Sequence, residues 1–120
     1  MRQARLTILG VDPSIAAMTS GEIEQAIVGR LRDLEPHLVI LFGSRATGLA
    51  QDDSDYDLLV VRDLADPEAF RTPPVRAALG SLPAAFDIIV YTPEEWEGWR
   101  EHPLSLAHHI ERTGRVLYAA

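Results

Sequence analysis

Apolar positions recur at three- and four-residue spacing from Ile23 through Ala26, Ile27 and Leu31 to Leu34, which predicts an amphipathic helix. Thr19-Ser20-Gly21-Glu22 just before it has the form of a capping box, with Thr19 as N-cap and Glu22 at N3. Pro36 stops this helix. The period then changes. Residues 38–42 are a continuous apolar run of strand length, suited to a buried strand. Gly43-Ser44 turns the chain out of it, residues 44–48 predict a short helical turn, and residues 51–54 a polar loop. Residues 55–61 predict a second strand. Alternate residues of a strand share a face, so Asp55, Asp57, Leu59 and Val61 line one side and Tyr56, Leu58 and Val60 the other.

Residues 62–67 read as a loop, and 67–79 as a weak helix that the adjacent Pro73 and Pro74 are expected to break. After a turn at 80–83, residues 85–91 predict a third strand, apolar except for Asp87. Thr92-Pro93-Glu94-Glu95 starts a helix well: Thr92 caps, Pro93 takes N1 and Glu95 closes a capping box. Trp96 and Trp99 lie on one face of it, as core or partner-contact residues, and Pro103 ends it. A last helix over 104–112 has Gly114 at its C-cap, and 115–118 is a final strand. The whole reads as an α/β (α+β) domain over residues 19–120, a small mixed β-sheet with helices packed mainly on one face. Residues 1–18 form an N-terminal extension. Its apolar run 6–11 suits an extra strand or an arm on a neighbouring subunit, and Asp12-Pro13 cuts it too early for a signal peptide.

Composition narrows the function. The 120 residues are 47% hydrophobic and 24% charged, with a formal net charge of −7 and no cysteine. Absence of cysteine excludes disulfides, thiolate nucleophiles and cysteine zinc sites, and fits a cytoplasmic protein. The negative balance makes a long nucleic acid a poor partner, because phosphate contacts need Lys and Arg. No apolar run is long enough to span a membrane. A metal-complexed nucleotide stays compatible.

Asp55 and Asp57, side by side at the edge of an apolar strand, repel each other unless a cation lies between them. Oxygen-only ligands suit a hard ion, above all Mg²⁺, usually held by one or two carboxylates plus substrate phosphates. Ser44 stands where a strand turns into a helix, as an N-cap whose neighbouring N–H groups face phosphate. Asp87 is a lone acid inside an apolar strand, costly unless paired, protonated or metal-bound. If its strand neighbours 55–61, the three carboxylates could hold two ions, an arrangement that clamps the attacking and leaving oxygens of an in-line displacement.

Gly43-Ser44, ten residues, then Asp55-x-Asp57, with Asp87 on a later strand, resembles the nucleotidyltransferase superfamily related to DNA polymerase beta. The Gly-Ser-Arg-Ala-x-Gly form at residues 43–48 and the ending at 110–118 are similar to its minimal nucleotidyltransferase (MNT) domains. No Gly-Lys-Ser/Thr follows, so this is not a P-loop. The resemblance implies the nucleotidyltransferase fold and a phosphate-holding turn at Gly43 and Ser44. It also implies metal binding by Asp55 and Asp57, completed by Asp87, which assists deprotonation of the acceptor hydroxyl. Arg45 matches a position often basic in this group and is expected to touch phosphate. Thr47 stands where many relatives carry arginine. Cofactor and substrate would be Mg²⁺ (two ions) and ATP. Larger members add a helical domain for the acceptor, which these 120 residues are not expected to hold. The implied partner is a separate HEPN protein, silenced by transfer of AMP to a tyrosine, as in type VII-like antitoxin–toxin pairs. Two other readings stay open: a non-catalytic antitoxin that docks on its partner, and a small-molecule nucleotidyltransferase of the aminoglycoside-modifying kind. A homodimer or a hetero-oligomer fits either.

The remaining candidates read as structural. His108 and His109 are adjacent on a helix and make a poor chelate; one should pack and one be exposed. His37 and His102 adjoin prolines at helix ends. Tyr56 lies between the two aspartates but on the opposite face.

Overall fold

A computed structural model of the chain describes residues 18–51 and 54–120. The expected strand or arm in the first 17 residues, and Asp52 and Asp53 of the polar loop, lie outside the described residues. The elements run α1 (Ser20–Leu31), a 3-10 turn (Arg32–Leu34), β1 (Leu38–Phe42), α2 (Ser44–Thr47), β2 (Tyr56–Val61), α3 (Thr72–Leu79), β3 (Phe86–Tyr91), α4 (Pro93–Trp99), α5 (Leu106–Thr113) and β4 (Arg115–Ala119).

The four strands form one mixed sheet in the order β3-β2-β1-β4. β1 runs antiparallel to both β2 and β4, and β2 runs parallel to β3. A parallel neighbour requires a crossover, and the segment holding α3 supplies it. Strand alternation splits the apolar side chains into two cores. Twelve buried residues join α1 and α3 to Val39, Leu41, Tyr56, Leu58, Val60 and Val90 on one face. Six join Trp96 of α4 and Ala107 and Ile110 of α5 to Ile40, Leu59 and Val61 on the other. The mixed sheet is as expected. Helices cover both of its faces, with the weight of the core on one.

Two helix starts follow their sequence signals closely. Thr19 and Glu22 form a reciprocal capping box at α1, and Thr92 and Glu95 form another at α4. Pro73 and Pro74 behave differently from expectation. They sit in the first turn of α3 and begin it rather than break it. First-turn N–H groups have no intrahelical acceptor, so proline loses nothing there. Val75 and Leu79 of α3 are fully or almost fully buried.

Candidate active site

The site grows from the register of β1 against β2. Phe42, the last residue of β1, is opposite Asp57 of β2. The chain must leave β1 at once, and Gly43 makes that exit with φ 73° and ψ −155°, a conformation that is essentially confined to glycine. A Cβ built on Gly43 would lie 2.1 Å from Asp57 Oδ2. The glycine therefore lets the backbone lie directly against the Asp57 carboxylate. Ser44 then opens α2. Gly43, and not Ser44, is the N-cap, and no side chain caps this helix. The expected capping role of the Ser44 hydroxyl is thus absent, because the helix starts one residue earlier than the motif suggests. The half-buried Ser44 hydroxyl makes no hydrogen bond among the described residues.

β3 brings in the third acid. In the parallel pairing Asp57 is directly in register with Asp87. Asp57 is half-buried and Asp87 exposed. Asp55 is also exposed and lies just ahead of β2, not within it. The three still act on one another. Burial pushes the Asp57 carboxyl above its usual range, and the Asp87 and Asp55 carboxylates, with a hydrogen bond to Asp87, push it further. Among the described residues every group that shifts Asp57 is thus desolvating or acidic, the signature of a carboxylate with no counter-charge among them.

Among the described residues no group of three or more His, Asp or Glu side chains is gathered closely enough to form a ready-made metal cage. The residues nonetheless fit Mg²⁺ in its usual manner. Carboxylates provide only part of its shell, and nucleotide phosphates and water provide the rest. The crowding of negative charge at Asp57 is what such an ion would relieve.

Arg45 follows Ser44 in α2. Its guanidinium lies 4.2 Å from the centroid of the Tyr56 ring, and its Nε and Nη2 donate to the Ser54 carbonyl at 3.2 and 2.9 Å. Tyr56 belongs to the larger core, on the opposite face of β2 from Asp57. Arg45 thus braces the segment leading into β2. Beside it a cavity of about 450 Å³ is lined by Thr19, Ile23, Ser54, Tyr56 and Ala84. Thr47 is exposed at the end of α2.

The histidines and tryptophans fall as the residue chemistry suggests. His108 is partly buried, with Nδ1 2.8 Å from the Arg100 carbonyl oxygen, and His109 is exposed. His37 lies 3.0 Å from Asp63. Trp96 is core, while Trp99 is half-exposed and faces the ring of His102.

A mixed four-stranded sheet that sets a glycine-serine turn against paired carboxylates at one strand end is the frame of a nucleotide-transferring protein. The match to a family model is direct: residues 25–120 fit "Polymerase beta, Nucleotidyltransferase". The chain belongs to that nucleotidyltransferase family. Among solved structures it is similar to a toxin-antitoxin crystallised with AMP-PNP. The identity is 25%, over 81% of this chain and 73% of that one, with a TM-score of 0.54. A mutant of the toxin-antitoxin MntA-HpeT shares the fold at 21% identity, over 81% of this chain and 73% of that one, with a TM-score of 0.53. No curated protein matches the chain. Among the described residues no helix is long and apolar enough to cross a membrane.

Proposed function

We propose that this protein is an Mg²⁺-dependent nucleotidyltransferase that moves AMP from ATP onto a hydroxyl of a partner protein, a tyrosine of a HEPN toxin, and so acts as an antitoxin. Residues 19–120 are the catalytic domain. The observation that supports the chemistry is the pairing of Asp57 with Asp87 in adjacent strands, with Asp57 seated against Gly43. The likeness to a toxin-antitoxin crystallised with AMP-PNP supports the nucleotide and the kind of partner.

In this reading Gly43 and Ser44 receive the triphosphate, the serine with a hydroxyl that has no hydrogen-bond partner among the described residues. Asp55, Asp57 and Asp87 would hold the metal. Mg²⁺ bound there would neutralise charge on the α-phosphate and the leaving pyrophosphate. The acceptor oxygen attacks the α-phosphorus, the bond to the β-phosphate oxygen breaks, and the acceptor proton passes to Asp87. Most of the catalysis is positioning and charge stabilisation, which one small domain can supply. Arg45, which steadies the segment ahead of β2, is the further candidate for contact with the phosphates.

The test uses purified protein, Mg²⁺ and ATP labelled at the α-phosphate, added to a lysate of its own cells, with γ-labelled ATP as control. Label on one protein band from the α-labelled nucleotide alone is the expected result. No labelled protein from either nucleotide would overturn the reading. A second reading, inhibition by docking alone, draws on the exposed Trp99, Leu104 and Leu106. It is favoured if Asp57→Asn still silences the partner.

A further inference from the structure

β3 is an edge strand, so half of its backbone groups face away from the sheet. The Tyr56 amide donates to the Ala85 carbonyl, which fixes which groups face inward. By strand alternation the carbonyls of Phe86, Ile88 and Val90 face outward. Two of these three are met by arginines. Arg76 of α3 donates through Nη1 to the Phe86 carbonyl at 3.1 Å. Arg71, the N-cap residue of α3, donates to the Val90 carbonyl at 3.1 Å.

The two arginines differ in what else they do. Arg71 is also bound by Glu95 at 2.6 and 2.9 Å and reaches the Pro67 carbonyl. Arg76 is exposed, and the bond to the Phe86 carbonyl is its side chain's one hydrogen bond among the described residues. That carbonyl belongs to the peptide unit whose nitrogen is Asp87's own. The exposed Asp87 side chain has little packing to hold it. Its place beside Asp57 depends on how the first residues of β3 are anchored. The Tyr56 amide anchors the inner side, and Arg76 anchors the outer side.

We propose that Arg76 is a positioning residue of the candidate metal site, holding Asp87 in register with Asp57 through the Phe86 carbonyl. This rests on the function proposed above. Loss of a group that orients a ligand typically weakens metal binding by about 10- to 100-fold. Because Arg76 acts through an exposed edge, the lower end of that range applies.

The test is a titration of the full chain with Mn²⁺ as a spectroscopic stand-in, in the presence of a non-hydrolysable ATP analogue, counting free Mn²⁺ by electron paramagnetic resonance. Arg76→Ala should weaken Mn²⁺ binding about tenfold with little change in Tm. Arg76→Lys, which keeps a donor, should recover most of it. In the Asp87→Asn background, Arg76→Ala should add nothing further, because its route to the metal is already gone. Wild-type affinity in Arg76→Ala, or a full additional loss in the double variant, would overturn the role of Arg76 alone. Absence of Mn²⁺ binding by the wild-type chain would overturn the metal site itself, and this inference with it.

Discussion

The two faces of β2 are made from alternate residues of one short stretch, yet they do different work. Tyr56, Leu58 and Val60 enter the larger core under α1 and α3. Asp57, Leu59 and Val61 face the other way, and Leu59 and Val61 complete a core half as populous. The first of these three is spared from packing and given to the site. The larger core lets the smaller side carry a carboxylate that is bad for stability. Sites of this kind commonly hold strained or mismatched groups that the rest of the fold outweighs.

The neighbours Asp57 and Leu58 offer the widest separation of the two roles. Asp57→Asn should lower nucleotidyl transfer by on the order of 10³-fold, as loss of a key charge-stabilising group does. Stability should move the other way. Because the Asp57 carboxyl is raised, the folded chain keeps a proton that the unfolded chain has released. Folding stability therefore falls as pH rises from the ordinary value of 3.8 through the raised one. At neutral pH the asparagine removes a like-charge pair, worth about 0.2–1 kcal/mol, so thermal unfolding should shift up slightly. Mg²⁺ with nucleotide should stabilise the wild type and not this variant. Leu58→Ala is the converse. Leu58 is fully buried, so about 2–5 kcal/mol of stability should be lost, while transfer per folded molecule is retained. A fully active Asp57→Asn protein would end the division of labour described for the two faces.

Gly43→Ala strikes both roles together. The glycine-only backbone conformation costs about 1–3 kcal/mol for another residue, and the new methyl displaces the Asp57 carboxylate. A displacement on the order of 1 Å in a catalytic group can cost about 100-fold in rate. Denaturant melts and the labelling assay on the same sample would separate the two losses.

The smallest effect concerns the brace between α3 and α4. Arg71 and its hydrogen bonds hold the Glu95 carboxyl at about 2, well below its usual 4.5. Stability from this pair is complete above the unfolded value of 4.5 and is lost as pH falls through about 2. The pair is partly exposed, so solvent screening limits it to about 1 kcal/mol. Glu95→Gln should flatten the wild-type loss of stability between pH 4.5 and 2, measured by urea unfolding, and leave the slope near neutral pH unchanged.

Much of this was legible in the sequence where a signal is local. Both capping boxes, β1 and the glycine-serine turn each depend on residues within a few positions of one another. Asp87 was legible as an acid out of place, although its exact register with Asp57 depends on strand pairing that no local pattern encodes. Asp55 misled slightly, since it reads as the first strand residue and in fact precedes the strand. Pro73 and Pro74 misled more, because a proline pair breaks a helix interior but suits a first turn, and position within the helix cannot be read from the pair itself. Arg71 and Arg76 gave no signal. An arginine on a helix usually faces water, and only the placement of α3 beside an edge strand turns these two toward carbonyls.

The asymmetry between the sheet's two borders has a consequence for assembly. Guanidinium groups occupy two outward carbonyls of β3, while among the described residues no side chain bonds to the backbone of β4. A strand that paired along β3 would have to displace both guanidinium groups from their carbonyls. Fibre growth by sheet extension uses both borders of every unit, so this cost at β3 opposes it.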